Sequence, residues 1–439
     1  MKVSIYGAGY VGLVTGVCFA EIGHDVCCAD VDVNKITRLQ QGILPIHEEN
    51  LEVLLNKNAQ ASRIHFTCDM QQAVNHGIVQ IIAVGTPSNT DGSADLQHVN
   101  AVAEKIGELM TAYRCVINKS TVPVGTAGRV ETIILKQLKQ RDLTVEFDVV
   151  SNPEFLREGQ AVKDCLSPDR IVIGAQTKKA ISVMEELYFS FINNGSAILC
   201  MDTASAELTK YAANAFLATK VSFINEISQI AERIGANIHA IKKGIGMDSR
   251  INEKFLNAGC GFGGSCFPKD LNALKNTAES SGYNPLILNA VLQTNLQQQK
   301  FLFHKIYHYF NNDVKNKTIA LWGLSFKPNT DDVRCATSRI LMEMLWDAGT
   351  TVQAYDPLAM GNIRRMYPLE KKLILCESAM DAARGSDALI IVTEWSEFEK
   401  INLYALKQIL NFPVVFDGRN IFDANKVREA GLEYFGIGC

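Results

Sequence analysis

Apolar runs of about five residues, each closed by a small or polar residue and followed by a longer stretch with helical spacing, recur along the chain and predict alternating strands and helices. The first cycle starts at once. Lys2-Val3-Ser4-Ile5-Tyr6 predicts a strand, small and apolar residues up to Ile22 predict a helix, and residues 25–29 predict a second strand that ends at Asp30. Further strand-like runs follow at 78–84, 115–119 and 147–150. From Thr203 to about Ile234 the pattern is helical, without glycine or proline, and spans about 48 Å at 1.5 Å per residue. The alternation then returns, with a strand at 318–323, a helix from about 336 to 346 and a strand at 351–355 ending in Asp356. Runs at 388–393 and 413–417 extend it. The pattern predicts an α/β chain with two doubly wound parallel sheets joined by a long central helix. Boundaries are expected near 1–200, 201–300 and 301–439.

The turn after the first strand reads Gly7-Ala8-Gly9-Tyr10-Val11-Gly12 and opens the first helix, which makes both halves of the chain Rossmann-like in pattern but only the first a dinucleotide fingerprint. The first glycine permits the tight turn, the second lets a pyrophosphate meet backbone N–H groups at the helix N-terminus, and the third packs helix on strand. Gly7, Gly9, Tyr10, Val11 and Gly12 are therefore expected at the cofactor. Asp30, at the end of the second strand, is placed to accept hydrogen bonds from ribose hydroxyls and to repel a 2′-phosphate, so NAD is expected over NADP. Two strand-like runs end in the polar loops Gly85-Thr86-Pro87-Ser88 and Ser120-Thr121-Val122-Pro123. Thr86, Ser120 and Thr121 are candidate cofactor or water contacts, the plainer reading being helix caps and turn residues.

With 439 residues, 47% hydrophobic and 21% charged, the chain can bury two or three cores and is neither disordered nor fibrous. A net charge of -4 gives no electrostatic case for nucleic acid or an anionic membrane surface. No cleavable apolar segment precedes the first strand and no run is long enough to span a bilayer, so a cytosolic protein is expected. The twelve cysteines are scattered, with no Cys-x-x-Cys pair and no His-Glu-x-x-His. That argues against a disulfide framework and a zinc site, and for reduced thiols. His304 and His308 share a helical face without an evident third ligand and read as solvated surface.

Cys266 stands apart from the other thiols. It lies in Gly261-Phe262-Gly263-Gly264-Ser265-Cys266-Phe267-Pro268-Lys269-Asp270, where glycines let the backbone approach a ligand, a nearby ammonium favours the thiolate and a carboxylate follows four positions on. A thiolate adds to an aldehyde to give a thiohemiacetal, loss of hydride gives a thioester, and water cleaves that to an acid. Lys210 and Asn214, four apart on the long helix, fall on one face and could direct donors at the same oxyanion, each worth on the order of 3 kcal/mol. Asp270 or a nearby glutamate would handle protons.

These features together resemble the UDP-glucose/GDP-mannose dehydrogenase family from end to end. The resemblance is carried by Gly7 to Gly12, Lys119-Ser120-Thr121-Val122-Pro123-Val124-Gly125-Thr126, Ser151-Asn152-Pro153-Glu154-Phe155-Leu156-Arg157-Glu158-Gly159, Lys210-Tyr211-Ala212-Ala213-Asn214-Ala215-Phe216, the Cys266 turn, and Phe326-Lys327 with Arg334. It implies two successive NAD-dependent oxidations of one primary alcohol of a nucleotide sugar to a carboxylate, without release of the aldehyde. Cys266 matches the nucleophile, Lys210 and Asn214 the oxyanion contacts, Asp270 the partner of the active-site water, Glu154 the acid of thioester hydrolysis, and Thr121 a water-holding residue that also touches the cofactor. Substrate or nicotinamide contacts are implied along Glu154, Phe155, Leu156, Arg157 and Glu158, along Phe255, Leu256, Asn257, Ala258 and Gly259, and at Gly263, Lys327 and Arg334. Lys35 matches a ribose contact beside Asp30, and Arg250 an arginine lent to the neighbouring subunit's substrate. The chain departs from the family pattern at Cys260, where proline is frequent, and at Asn252, where glycine is.

A UDP diphosphate asks for cations such as Lys327 and Arg250, and the wording around Cys266 favours UDP-glucose over GDP-mannose as the expected substrate. Amino-sugar relatives differ more in that loop. A non-catalytic NAD-sensing protein is the reading from another class, and it leaves the joint presence of Cys266, Lys210 and Asp270 unexplained. Self-association through the long helix, as a homodimer or larger, is expected.

Overall fold

Each run of alternating strands and helices closes into its own sheet, parallel in all but one pairing, in the computed structural model, which describes residues 1–193 and 195–439. One unit comprises Met1–Ala213 with Asn272–Tyr283, the other Asn214–Leu271 with Asn284–Cys439.

In the first unit, β1 (Lys2–Tyr6), β2 (Asp25–Ala29), β3 (Ile64–Thr67), β4 (Val79–Ile82), β5 (Arg114–Asn118), β6 (Phe147–Ser151), β7 (Arg170–Gly174) and β8 (Ala197–Met201) lie in the order β3-β2-β1-β4-β5-β6-β7-β8. Neighbours run parallel except β6 and β7, which meet antiparallel at Ser151 and Gly174. Parallel strands need crossover helices, and those helices bury both faces, so the central strands are apolar nearly throughout. Val3 and Ile5 pack on one face with Leu13, Val17, Leu51 and Leu55. Tyr6 and Ile82 pack on the other with Val99, Ile106, Val130 and Ile134.

In the second unit, β9 (Thr318–Trp322), β10 (Thr351–Tyr355), β11 (Leu373–Leu375), β12 (Ala388–Ile391), β13 (Val414–Asp417) and β14 (Glu433–Phe435) form an all-parallel sheet ordered β11-β10-β9-β12-β13-β14. Strand order reverses beside the first strand of each sheet, between β1 and β4 and between β9 and β12. Loops leave on opposite sides there and open a crevice at the carboxyl ends, the usual place for a ligand.

The helix Thr203–Ile234 is unbroken over 32 residues, as the absence of glycine and proline requires. Asp202 starts it by accepting from Ser205 N at 2.8 Å. It passes from the first unit into the second, as does the helix Phe267–Ser280 in the opposite sense. Among the described residues no helix is long and apolar enough to cross a membrane.

Candidate active site

The three glycines after β1 differ in their surroundings as their proposed tasks require. Gly7 has φ +101°, and a Cβ on it would lie 2.7 Å from the Ala83 carbonyl. A Cβ on Gly12 would lie 1.9 Å from the Gly7 carbonyl, so the helix starting at Tyr10 can only seat on a hydrogen there. A Cβ on Gly9 would meet nothing within 4 Å, leaving open room at the N-terminus of the helix Tyr10–Glu21. Asp30 accepts from Ala8 N at 2.8 Å, Asp32 N at 3.0 Å and Lys35 Nζ at 2.9 Å. Burial opposes its ionisation, but the Asp32 amide, Lys35 and the Ala8 amide outweigh that and hold the carboxyl below its usual range. An open helix N-terminus beside an ionised acid fits a pyrophosphate and a ribose.

Glu48, which the sequence reading passed over, ties this turn to the next loop. Buried and 5% exposed, it accepts from the Tyr10 hydroxyl, from Gly159 N at 2.7 Å and from Ala161 N at 2.7 Å. Burial first, then the Glu48 carboxylate, pushes the Tyr10 phenol well above its ordinary range, so it serves as a donor. One carboxylate thus fixes a residue of the glycine turn and the end of the segment carrying Glu154 to Glu158.

Glu154 pairs with Lys210, Oε1 to Nζ, at 3.0 Å, with both side chains almost wholly buried. The Lys210 ammonium also stands 5.2 Å from the Phe155 ring, whose face carries the Arg170 guanidinium at 3.7 Å. Three residues before Lys210, Glu207 accepts from Gly125 N at 2.7 Å, Ala127 N at 2.9 Å and Ser151 Oγ at 3.0 Å, binding the long helix to the loop after β5. Thr86 Oγ1 donates to the Thr121 carbonyl at 2.9 Å and Ser120 Oγ to the Val84 carbonyl at 2.7 Å, which joins the loops after β4 and β5. Asn118, Thr121, Glu207 and Lys210 line a cavity of 10 Å³, about the room one water needs. Neither polar atom of the Asn118 amide has a hydrogen-bond partner among the described residues.

In the second unit, Cys266 immediately precedes the helix Phe267–Ser280, its carbonyl accepting from Asp270 N at 2.8 Å. Its Sγ is 3.5 Å from Ser265 Oγ. The position at a helix start favours a thiolate. Asp270, 1% exposed, accepts from Asn214 Nδ2 at 2.6 Å and from Lys269 Nζ at 2.6 Å. Three predicted residues, Cys266, Asp270 and Asn214, are thereby brought together.

The turn before Cys266 is held by buried amides that the sequence reading did not single out. Asn295 exchanges hydrogen bonds with Phe262 at 2.8 and 3.0 Å, Gln299 donates to the Phe262 carbonyl at 3.0 Å, Gln298 to the Gly259 carbonyl at 2.7 Å, and Asn225 accepts from Gly259 N at 2.9 Å. Gly264, at φ +85°, donates to the Arg334 carbonyl at 2.8 Å, and a Cβ there would strike the Phe326 ring at 2.7 Å. A Cβ on Gly263 would lie 2.2 Å from the Cys335 carbonyl. The only sequence signal for the amides was the run Asn295-Leu296-Gln297-Gln298-Gln299, unusual in a helix that is otherwise packed.

The remaining predicted residues are spread more widely. Phe255 lies tilted beside Phe267, 6.4 Å between centroids, with Leu256 and Ala258 buried and Asn257 Oδ1 accepting from Lys242 Nζ at 2.6 Å. Arg157 pairs with Asp164 at 2.6 Å and Arg334 with Asp332 at 2.6 Å. Lys327 stands 5.4 Å from the Phe326 ring. Arg250 is exposed and pairs with Asp248 at 2.6 Å, outside the cluster around Cys266.

The second sheet repeats the strand-ending acid but spends it differently. Asp356, 1% exposed, accepts from Leu324 N at 2.7 Å, Ser325 N at 3.0 Å, Leu358 N at 2.9 Å, Ala359 N at 2.8 Å and Trp395 Nε1 at 3.1 Å. Nothing is left for a ribose. One open dinucleotide cradle, one internally filled counterpart and a thiol at a helix start define an NAD-linked dehydrogenase built on two α/β sheets.

The chain belongs to the UDP-glucose/GDP-mannose dehydrogenase family: residues 1–192 match its NAD binding domain, 204–297 its central domain and 320–424 its UDP binding domain. It is 44% identical over 441 residues to a UDP-glucose 6-dehydrogenase of Pseudomonas aeruginosa, covering 100% of this chain and 97% of that one. It is 45% identical to the UDP-glucose 6-dehydrogenase TuaD of Bacillus subtilis, covering 100% and 93%. Among solved structures it is similar to a UDP-glucose dehydrogenase of Pyrobaculum islandicum, with a TM-score of 0.91, 36% identity and coverage of 100% and 98%. A GDP-mannose dehydrogenase of Pseudomonas aeruginosa superposes less well, with a TM-score of 0.55 at 29% identity and 100% coverage of both chains.

Proposed function

We propose that this chain oxidises UDP-glucose to UDP-glucuronate in two NAD-dependent steps, the half-oxidised carbon remaining bound to Cys266. The observation that carries the cysteine route is the thiol at a helix start one turn before Asp270, which Asn214 engages at 2.6 Å. NAD, held by Gly7 to Gly12 with Asp30 and Lys35 and reached by Thr86, Ser120, Thr121, Glu158 and Arg334, supplies the hydride acceptor.

The chain's residues do the rest. The Cys266 thiolate forms a C–S bond to the aldehyde carbon, and the carbonyl electron pair moves to oxygen, where Lys210 and Asn214 donate hydrogen bonds. Loss of hydride from that carbon leaves a thioester. Water, held by Thr121 and deprotonated through Asp270 or Glu154, adds to it; the C–S bond then breaks, and the thiol leaves with the carboxylate formed. The nucleotide and sugar are held by Phe155, Leu156, Arg157, Phe255 to Gly259, Gly263 and Lys327, with Arg250 reaching the substrate of a neighbouring copy.

Support for UDP-glucose over GDP-mannose comes from the names of the relatives at 44% and 45% identity and from the lower TM-score of the GDP-mannose enzyme. In this reading residues 1–200 hold NAD, 201–300 carry the nucleophile and the self-association surface, and 301–439 hold the UDP-sugar. Phe216, Phe223 and Ile230 follow at intervals of seven on the helix Thr203–Ile234 and are 66%, 51% and 47% exposed, an apolar stripe that suits a second copy. A nucleophile that must stay a thiol suits the reducing cytoplasm.

Purified protein should reduce two NAD per UDP-glucose, read as NADH absorbance against substrate consumed, and should discriminate against GDP-mannose. A one-to-one ratio with free aldehyde in solution would overturn the covalent route.

A further inference from the structure

Lys119 presents an anomaly in the first unit: it is 6% exposed, yet the acceptors that its ammonium reaches are neutral, Asn152 Oδ1 at 3.2 Å and the Tyr188 hydroxyl at 3.3 Å. A buried ammonium normally has a counter-anion, since desolvation costs several kcal/mol per ion. Lys119 lines a cavity of 190 Å³ together with Glu154, Tyr188 and Cys165. Glu154 is already engaged by Lys210. Cys165, partly exposed, lies in the helix Ala161–Leu166 and packs against the core cluster that holds the wholly buried Cys18 of the helix Tyr10–Glu21. Cys18 Sγ is also 4.0 Å from the Val162 carbonyl, one turn before Cys165.

The geometry points to Cys165 as a peroxide-reactive thiolate whose oxidation ends in a disulfide with Cys18. The neighbouring Cys18 thiol and the Lys119 charge lower the Cys165 thiol against burial and against the Glu154 and Asp164 carboxylates, which line the same cavity. The neighbouring Cys165 and burial push Cys18 far up, so it stays a thiol until Cys165 has been oxidised. In the first step the thiolate sulfur bonds to one peroxide oxygen, the O–O bond breaks, and hydroxide leaves, giving a sulfenic acid. In the second the Cys18 sulfur bonds to the Cys165 sulfur, the S–O bond breaks, and the Cys18 proton leaves with the oxygen as water. Two thiols and one hydrogen peroxide become one disulfide and two waters. Oxidation removes the anion facing Lys119 and leaves Glu154, the partner of Lys210, as the carboxylate drawn toward it.

The test reads masses rather than turnover, so it stands apart from the dehydrogenase reading and fails or succeeds independently of it. The full-length reduced protein is exposed to less than one equivalent of hydrogen peroxide, alkylated, digested and mapped. A linked Cys18–Cys165 peptide that dithiothreitol resolves is expected. In Cys18→Ser, dimedone should label Cys165, and in Lys119→Met linkage should slow roughly tenfold, the effect of about one unit in thiol pKa. Wild-type protein in which Cys165 stays reduced at a dose that oxidises Cys266, or keeps a sulfenic acid beside a free Cys18, would overturn the assignment.

Discussion

Lys210 and Glu154 form an ion pair of 3.0 Å in which the two side chains are 4% and 6% exposed. Removing one partner of such a pair commonly costs about 3–5 kcal/mol, because the other charge stays buried. Glu154→Gln keeps the volume and an acceptor for Lys210 but loses the carboxylate. We expect it to fold, to complete both oxidations once, and to turn over at least about a hundredfold more slowly, as loss of a general base does. The covalent adduct on Cys266 should accumulate and appear by intact mass. Full turnover, or slow turnover with no adduct, would remove Glu154 from thioester hydrolysis.

Gly9 and Gly12 should separate binding from folding. Alanine at Gly9 meets nothing within 4 Å, and Gly9 already has a φ of -84° that any residue adopts, so Gly9→Ala should melt within a degree or two of wild type. Its methyl would occupy the room that a pyrophosphate needs, and NAD affinity by calorimetry should fall at least about tenfold. Gly12→Ala, with its Cβ 1.9 Å from the Gly7 carbonyl, should instead lower the melting temperature or abolish soluble expression. Equal NAD affinity in Gly9→Ala and wild type would refute the cradle.

Much of the frame was legible because parallel strands buried on both faces must be apolar runs: β1, β2 and β10 and the helix Thr203–Ile234 fall at the bounds that the pattern predicts. Strands toward the sheet edges were not. β11 and β14 have three residues each, too few to show a period, and β8 is largely exposed, so its apolar letters carry no alternation. For the site, Cys266 announced itself through neighbours in sequence. Glu48, Asn295 and Gln299 did not, because each acts on backbone groups far away in the chain. Lys119 was visible as a letter in a family segment, but its buried, neutral surroundings appear only once Tyr188 and Asn152 are beside it.

Stability should depend on the buried His24 and the half-buried His65. Burial holds His24 below its ordinary value of 6.5, with the amino terminus adding to the effect, and His65 is lowered by burial and then by His76. Each is depressed in the folded state. The unfolded chain therefore takes up protons first as pH falls, and the stabilising contribution, complete above about 6.5, is lost as pH drops through the folded values. The melting temperature should fall between about pH 7 and about pH 5, and His24→Phe, which can still pack on Phe19, should flatten that slope. A slope unchanged in this variant would show that the dependence lies elsewhere.

The contact between Asn214 and Asp270 makes the sharpest case. An amide nitrogen carries two protons, and Asn214 gives one to Asp270 Oδ2 at 2.6 Å, which leaves the second for the oxyanion proposed on the carbon bound to Cys266. Asn214→Ala removes the oxyanion donor and should lower kcat about a hundredfold or more with little change in KM. Asn214→Asp is the more telling variant. It sets a carboxyl against the carboxylate of Asp270, where both residues are less than a tenth exposed, and two such groups cannot both ionise. One must stay protonated, and as a carboxylic acid it can still donate. Activity in Asn214→Asp should therefore survive at low pH and collapse as pH rises past the point where the shared proton is lost, a limb absent from Asn214→Ala. If kcat for Asn214→Asp follows the wild-type pH profile scaled by a constant, the amide does not stand between Asp270 and the reacting carbon.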